Sequence, residues 1–180
     1  METKSYLKTL DLAYVGLAVA LIAICSWISV PTAIPFTMQT FAVFAVVGIL
    51  GMYRGTLAVL VYILLGAVGV PVFAGFSGGI GVLFRNTGGY IMGFLFTALI
   101  TGAIMKLFGK KVWVMAAAMV VGLLVCYAFG TAWFMVVYAR SNGAVGIATA
   151  LSWCVIPYII PDLVKIALAV LLTKRVGKVL

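Results

Sequence analysis

Histidine is absent from this sequence, and only three of its 180 residues are acidic. Histidine is the side chain that most often serves as a general base or metal ligand, so its absence disfavours a metal centre and most acid–base enzymes. The three cysteines, Cys25, Cys126 and Cys154, lie in apolar runs without Cys-x-x-Cys spacing, and we interpret them as small buried side chains. No complete Walker A motif surrounds the Gly-Lys-Lys at 109–111, which indicates that any ATP hydrolysis belongs to another chain.

Charged residues are scarce as well: they make up 8% of the chain, whereas hydrophobic residues make up 66%. Such a chain has too little polar surface to cover a soluble domain, which predicts that lipid is its solvent. No abrupt shift in composition marks a second domain, so we expect one membrane-embedded domain over residues 1–180. The net charge of +9 would suggest nucleic-acid binding in a soluble protein. Here the cations lie between apolar runs, a distribution that is typical of the loops of a membrane protein.

The chain consists mainly of apolar segments, and about 20 apolar residues are needed to cross a bilayer. Proline, glycine and charged residues divide the chain into six candidate spans, which we place at 10–30, 37–53, 55–71, 88–108, 112–138 and 147–173. The first is too long for the core of a signal peptide. The second and third are short and closely spaced, and if they form a re-entrant hairpin the count falls to four. The prediction is an all-α membrane protein, a bundle of six transmembrane helices.

The cations are distributed unevenly between the loops of this arrangement. If the N-terminus lies inside, two cations, Arg85 and Arg140, fall in outer loops and nine fall in cytoplasmic segments. The nine are Lys4, Lys8, Arg54, Lys106, Lys110, Lys111, Lys174, Arg175 and Lys178. Cytoplasmic loops of membrane proteins carry the excess of lysine and arginine, so this bias predicts an even number of crossings with both termini in the cytoplasm.

Two uncharged connections fall on the outer side. The connection between the third and fourth spans, at about 70–90, holds six glycines and Pro71 and should not continue a helix, yet it is too apolar for a solvated linker. It is either a loop that caps the bundle or, as we prefer, a lid over a ligand, because irregular backbone is tolerated where it lines a cavity. The other connection, 29–38, contains Pro31 and Pro35. Both are suited to closing over a molecule without strong charge.

Asp162 is the only carboxylate that falls at membrane depth, and Lys165 follows it three residues later. On a helix the two side chains share a face, and ionisable groups inside a membrane are candidates for a functional site. Pro161 directly precedes the pair, where it fits the first turn of a restarted helix. The two charges either neutralise one another structurally or bind a ligand that carries both an amide-like ring and an acid.

Single residues elsewhere offer weaker signals. The aromatic side chains of Phe73, Tyr90, Trp153 and Tyr158 are candidates for apolar walls of a pocket or for ordinary packing. On the first helix, Gly16 and Ala20 form a small-x-x-x-small step that lets another helix approach closely.

Several segments together resemble the BioY family, the biotin-specific substrate-binding (S) components of energy-coupling factor (ECF) vitamin transporters. The signature segments are Gly69-Val70-Pro71-Val72-Phe73-Ala74-Gly75, Gly78-Gly79, Thr87-Gly88-Gly89-Tyr90 and Gly93-Phe94. Further segments are Pro35 to Thr40, Gly130-Thr131-Ala132-Trp133 and Pro157 to Lys165. The chain departs from the family pattern at Arg85-Asn86, where Gly-Pro is common, at Ile160-Pro161, where Pro-Gly is usual, and at Gly16, where alanine is usual.

The resemblance implies a six-helix subunit of the cell membrane that binds biotin near the outer face, without covalent chemistry, metal or cofactor. Its expected partners are a transmembrane coupling subunit, which would dock at Gly16 and Ala20, and two ATPases. The expected ligand-binding residues are Asp162, Lys165, Arg85, Asn86, Tyr90, Phe73, Gly75, Gln39 and Trp153. Two alternatives stay open. The chain could be an S component for another small vitamin, or a membrane-embedded enzyme with only the Asp162–Lys165 pair for acid–base catalysis.

Overall fold

The computed structural model describes residues 9–30 and 35–177, which are helical over most of their length. The helices are α1 Thr9–Trp27, α2 Gln39–Ala67, α3 Ile80–Leu83, α4 Gly88–Phe108, α5 Val112–Asn142, α6 Ile147–Cys154 and α7 Ile156–Val176. Two short antiparallel strands, β1 Ser29–Val30 and β2 Phe36–Thr37, pair Ser29 with Thr37. Among the described residues, five helices (α1, α2, α4, α5 and α7) are long and apolar enough to cross a membrane.

The long helix α2 covers most of two predicted spans, 37–53 and 55–71, and is folded back on itself at Gly51. This residue has φ 78° and ψ −177°, a left-handed conformation that glycine adopts without the strain of a side chain. Gln39 Nε2 donates a hydrogen bond of 2.6 Å to Tyr62 Oη, although 23 residues separate them; in a straight helix they would lie roughly 34 Å apart. The helix therefore consists of two antiparallel arms, 39–50 and 52–67. The turn lies at Gly51, three residues before Arg54, which separates the predicted spans 37–53 and 55–71.

The last predicted span, 147–173, is divided in the structure between α6 and α7. The break lies at Val155, whose backbone is non-helical at φ −125° and ψ −56°. The expectation that Pro161 begins a restarted helix is therefore wrong, since Pro161 lies inside α7. Pro157 occupies the first turn instead, where a missing backbone N–H breaks no helical hydrogen bond.

The glycine-rich connection does not continue α2, which ends at Ala67, but it contains two short helical turns of its own. A 3-10 turn spans Ala74–Phe76, and the four-residue helix α3 follows after Gly79. Gly79 has φ 96° and provides the sharp change of direction before α3. The backbone is extended on either side of the 3-10 turn, where Phe73 pairs with Ser77 in an isolated antiparallel bridge.

The helices pack around α2, which contacts α1, α4 and α7, while α5 lies along α4 and also contacts α6 and α7. At one end of the bundle, Asp11 of α1 pairs with Arg54 at 2.6 Å, and Lys110 Nζ donates to the carbonyl of Gly48 at 3.1 Å. Thr173 of α7 lies against Gly48 as well. We name this the bend end. The start of α1 and the end of α7 thus lie at the same end of the bundle.

The opposite end, which we name the loop end, carries the strand pair, the 68–87 connection and the 143–146 connection. Described cations divide unequally between the two ends: Arg85 and Arg140 lie in the connections of the loop end, and Lys165 is buried within α7 nearby. Those at the bend end are Arg54, Lys106, Lys110, Lys111, Lys174 and Arg175. Lys4, Lys8 and Lys178 of the predicted cytoplasmic set lie outside the described residues.

Candidate binding site

A cavity lies between the helices near the loop end. Both irregular connections contribute to it, together with α2, α4, α5, α6 and α7. Its lining residues are Pro35, Thr37, Gln39, Thr40, Ala74, Thr87, Tyr90, Ile91, Phe94, Cys126, Tyr127, Cys154, Tyr158, Asp162 and Lys165. Most of the lining is apolar, and a few polar groups converge on it, which is the usual composition of a small-molecule site.

The space arises because the first arm of α2 starts below the loop end of the bundle. Thr40, in the first turn of this arm, hydrogen-bonds Asp162 at 3.1 Å. Asp162 lies six residues after the start of α7, about 9 Å along that helix. The first arm of α2 therefore begins about 9 Å short of the start of α7. Pro35 and Thr37, from the described part of the connection that carries the strand pair, line this space.

Asp162 and Lys165 form an ion pair in the cavity wall, with Lys165 Nζ 2.7 Å from Asp162 Oδ1. The two residues are only 3% and 4% exposed. Thr40 Oγ1 bridges them: it donates to Asp162 Oδ1 and accepts from Lys165 Nζ, each at 3.1 Å. Tyr127 Oη donates to the other carboxylate oxygen, Oδ2, at 2.6 Å. The Phe36 ring, with its centroid 4.1 Å from Nζ, completes the surroundings of the ammonium group.

Both charges are thus compensated by partners from three other elements. A buried ion pair is tolerated only when additional hydrogen bonds satisfy its remaining atoms, and this one meets that condition. The pair therefore gives the cavity a polar wall that is neutral overall, with carboxylate acceptors beside an ammonium donor. This chemistry suits a ligand that donates and accepts hydrogen bonds within a small polar ring.

A second polar cluster fixes the two connections to the helices beneath them. Thr37 Oγ1 donates to Gln39 Oε1 at 2.9 Å, and Gln39 Nε2 donates to Tyr62 Oη. Tyr62 Oη in turn donates to the backbone carbonyl of Val72 at 3.1 Å, and Ser26 Oγ donates to the same carbonyl. Gln39 lines the cavity, but its amide is engaged at both ends in this cluster. The cluster links β2, α1 and α2 with the glycine-rich connection.

Four of the nine predicted ligand residues line the cavity: Asp162, Lys165, Tyr90 and Gln39. Tyr90 Oη shares a hydrogen bond of 2.9 Å with Thr131 Oγ1. The Tyr90 ring lies so close to Gly130 that a Cβ at this position would overlap it. Gly130 is therefore required for the position of the ring.

The structure places Phe73, Gly75 and Trp153 outside the lining. Phe73 is fully buried, with its ring edge-on to Tyr62 at 5.6 Å, because the ring fills the space that Gly66 leaves open. Gly75 shapes the 3-10 turn, and its neighbour Ala74 is the residue that faces the cavity. Trp153 is 47% exposed. Its ring packs against Tyr138 at 5.9 Å on the outer face of α6.

Arg85 and Asn86 also lie outside the lining, whereas the next residue, Thr87, belongs to it. Arg85 is exposed, and its backbone carbonyl accepts a hydrogen bond of 3.1 Å from Trp133 Nε1. This contact holds the end of the glycine-rich connection against α5. The side chain of Arg85 can point to solvent because the carbonyl, rather than the guanidinium, makes the tertiary contact.

Sequence reasoning missed Thr40 and Tyr127, the two residues that complete the surroundings of Asp162. Thr40 lies in the Pro35 to Thr40 segment, whose one signal in the sequence is its resemblance to the BioY family. Tyr127 offers a weak signal, since a buried tyrosine hydroxyl in an apolar helix generally finds a hydrogen-bond partner. Nothing in the sequence indicates that this partner is Asp162, 35 residues away.

Gly16 and Ala20 lie on an exposed face of α1, away from the cavity. A Cβ at Gly16 would meet no atom within 4 Å. Leu17 and Ile24, nearby on the same helix, are 70% and 52% exposed. This part of α1 therefore presents small and apolar side chains outward from the bundle.

Fold and site together define a multi-pass membrane protein that encloses a small-molecule cavity near one end of a helix bundle. Within residues 9–30 and 35–177, no group of three or more His, Cys, Asp or Glu side chains could hold a metal ion. The cavity is lined by apolar and hydrogen-bonding groups.

The chain belongs to the BioY family, whose model it matches over residues 1–180. It is 40% identical over 164 residues to a protein of Thermotoga maritima named "Biotin transporter BioY", covering 91% of this chain and 93% of that protein. It is 41% identical over 170 residues to the "Probable biotin transporter BioY" of Pyrococcus horikoshii, covering 94% and 97%.

The fold matches a solved structure, the S-component for biotin from an ECF-type ABC transporter, with a TM-score of 0.86. The match covers 98% of this chain and 95% of that chain at 24% sequence identity. At this identity the likeness shows a shared fold.

Proposed function

We propose that this chain is the biotin-binding subunit of an ECF-type transporter, a binding protein rather than an enzyme. Membership of the BioY family and the names of its relatives support this function. The observation that carries the proposal is the buried Asp162–Lys165 pair in the wall of the loop-end cavity, where Asp162 Oδ2 can accept a further hydrogen bond. Retention of two buried charges is rarely a net gain in stability, so it calls for a further role.

Biotin carries a urea ring with two N–H donors and one carbonyl, a fused apolar thioether ring, and a chain that ends in a carboxylate. An ionised carboxylate can accept about four hydrogen bonds. Among the described residues, Lys165 and Thr40 bond to Oδ1 of Asp162 and only Tyr127 bonds to Oδ2. We therefore assign a urea N–H to Oδ2, while Lys165 lies beside it for the urea carbonyl. Ile91, Phe94 and the Tyr158 ring would contact the apolar ring.

Equilibrium binding of biotin to the purified chain in detergent tests this assignment. Asp162→Asn and Lys165→Ala each remove one ligand partner and leave the other charge uncompensated. The affinity for biotin should fall by roughly 2 to 5 kcal/mol. Asp11→Asn is the matched control, because it removes a carboxylate at the bend end. Unchanged affinity in folded Asp162→Asn protein would restrict the pair to a structural role, and stronger competition by another vitamin would reassign the ligand.

The membrane topology belongs to the same proposal: residues 1–180 form one membrane-embedded domain that crosses the cell membrane six times with both termini in the cytoplasm. The fold-back at Gly51 and the excess of cations at the bend end support it. Cysteines introduced at Ser5 and Lys178 should react with an impermeant thiol reagent only after the cells are opened. A cysteine at Asn142 should react in intact cells. Labelling of either terminus from outside would refute this orientation.

The exposed face of α1 is the proposed contact with the transmembrane coupling subunit, which would work with two ATPases. Gly16→Trp and Ala20→Trp would keep a partner helix at a distance but lie away from the cavity. Both variants should bind biotin normally and lose uptake in cells that also produce the coupling and ATPase subunits. Leu124→Trp is the control, since Leu124 is exposed on α5 and lines no described cavity. Normal uptake by the α1 variants would exclude this face as the docking surface.

A further inference from the structure

A second cavity lies at the bend end, between the turn of α2 and the last turns of α4. The cavity is lined by Tyr53 and Arg54, from the first turn of the second α2 arm, and by Met105, Lys106 and Lys110. None of the described residues that line it is acidic. The loop-end cavity has one carboxylate for its one ammonium group, whereas this cavity carries three cations.

The partners of these cations leave an excess of positive charge. Lys106 Nζ donates to Tyr53 Oη at 2.8 Å and lies 4.6 Å from the centroid of the same ring. Lys110 Nζ donates to the backbone carbonyl of Gly48. Only Arg54 has a carboxylate partner within 4 Å among the described residues, Asp11. The two lysines are therefore held in position by neutral groups and keep capacity for an anion.

The surroundings place this cavity at the boundary between lipid and water. Tyr53 is 71% exposed, and Trp113, at the start of α5, is 69% exposed. Tyrosine and tryptophan accumulate at this level of a membrane because their rings tolerate lipid while their polar tips reach water. Leu107 and Phe108, 77% and 67% exposed, continue the apolar surface directly beside Lys106. Lipid phosphates lie at the same depth as such aromatic residues.

We propose that the bend-end cavity binds the phosphate of an anionic phospholipid from the adjacent leaflet. Lys106 and Lys110 would contact phosphate oxygens, and Tyr53 positions the Lys106 ammonium. The acyl chains would follow the exposed apolar surface of α4. The positive end of the second α2 arm favours an anion at the same place. Basic pockets between transmembrane helices bind anionic headgroups by the same chemistry. This site is separate from the loop-end cavity and does not depend on the identity of the transported molecule.

Binding of phosphatidylglycerol and phosphatidylcholine to the purified full-length chain, measured by native mass spectrometry, tests the site. Lys106→Ala should weaken phosphatidylglycerol binding by about tenfold, because a hydrogen bond to a charged group is lost. Lys111→Ala is the matched control, since it removes an exposed cation of the same end that does not line the cavity. The loss at Lys106 should exceed the loss at Lys111 by at least about fivefold. Lys106→Arg, which keeps the charge, should retain binding.

Three results would overturn the proposal. Equal losses in Lys106→Ala and Lys111→Ala would show that lipid senses only the overall surface charge. No preference for phosphatidylglycerol over phosphatidylcholine would show that the headgroup is not recognised. Displacement of phosphatidylglycerol by millimolar inorganic phosphate would identify a free anion as the occupant. Retention of the lipid in the presence of phosphate, together with the fivefold difference, supports the lipid site.

Discussion

The two ends of the bundle each hold an ion pair, and the pairs differ in burial rather than in length. At the loop end, Lys165 and Asp162 lie 2.7 Å apart with side chains only 5% exposed. At the bend end, Arg54 and Asp11 lie 2.6 Å apart with side chains 45% and 14% exposed. Water and ions screen the second pair, whereas protein partners alone compensate the first.

This difference explains why similar bond lengths are expected to have different consequences. Exposed charges are solvated with or without a partner, so pairing them contributes little. A charge buried in an apolar wall has no such alternative, and removal of its partner leaves it without compensation. The loop-end pair is therefore suited to a site whose geometry must be fixed. The bend-end cations are suited to a surface that meets lipid headgroups.

The largest effect should come from breaking the buried pair. Asp162→Asn should lower the free energy of unfolding in detergent by about 3 to 5 kcal/mol, because Lys165 is left without its counter-charge. The double variant Asp162→Leu with Lys165→Met replaces both charges by apolar groups and should recover most of this stability while biotin binding stays lost. If the double variant is as unstable as Asp162→Asn, the pair itself stabilises the fold, and an uncompensated buried charge does not account for the loss.

A smaller effect is expected at the other oxygen of the same carboxylate. Tyr127→Phe removes the 2.6 Å hydrogen bond to Asp162 Oδ2 and leaves the shape of the ring unchanged. Loss of a hydrogen bond to a charged group should lower the free energy of unfolding by about 1.5 to 3 kcal/mol. Tyr53→Phe is the control at the bend end, where the hydroxyl is exposed to solvent and its loss should change stability much less. Equal losses would contradict the role of burial.

Packing beneath the glycine-rich connection provides a third test. Gly66→Ala would push a methyl group into the Phe73 ring, which is fully buried and cannot turn outward. Thermal unfolding should show a destabilisation of about 1 to 3 kcal/mol. Gly16→Ala, where the added Cβ meets open space, should instead stabilise α1 by about 0.5 to 1 kcal/mol. The same sign of change in both variants would show that close packing does not hold the connection in place.

The smallest effect is expected at the bend-end pair, in which Arg54 is exposed and Asp11 is half-buried. Arg54→Ala should change the free energy of unfolding by no more than about 1 kcal/mol, and less at high salt, because solvent already screens the pair. Unfolding at low and high ionic strength measures this directly. A loss as large as that of Asp162→Asn would show that the bend end depends on its ion pair as much as the loop end does.

Local sequence signals predicted the apolar helices and the pairing of Asp162 with Lys165. Hydropathy over about 20 residues reports contact with lipid regardless of which helices are neighbours, and an i, i+3 spacing places two side chains together on any helix. The signals were weaker at the helix breaks. Pro161 suggested that a helix begins there, but the helix break lies at Val155, and Pro161 lies within α7. A proline inside a transmembrane helix is tolerated when neighbouring groups satisfy the freed backbone.

The sequence by itself determined that this chain is a helical membrane protein with one buried ion pair and one strongly cationic end. These properties follow from composition and from spacings within a single helix. Only the tertiary structure decided that Thr40 and Tyr127, 122 and 35 residues from Asp162, complete the surroundings of its carboxylate. It also decided that Thr87, rather than Arg85 or Asn86, faces the cavity. Such contacts depend on how distant helices pack and turn, and no local pattern encodes that arrangement.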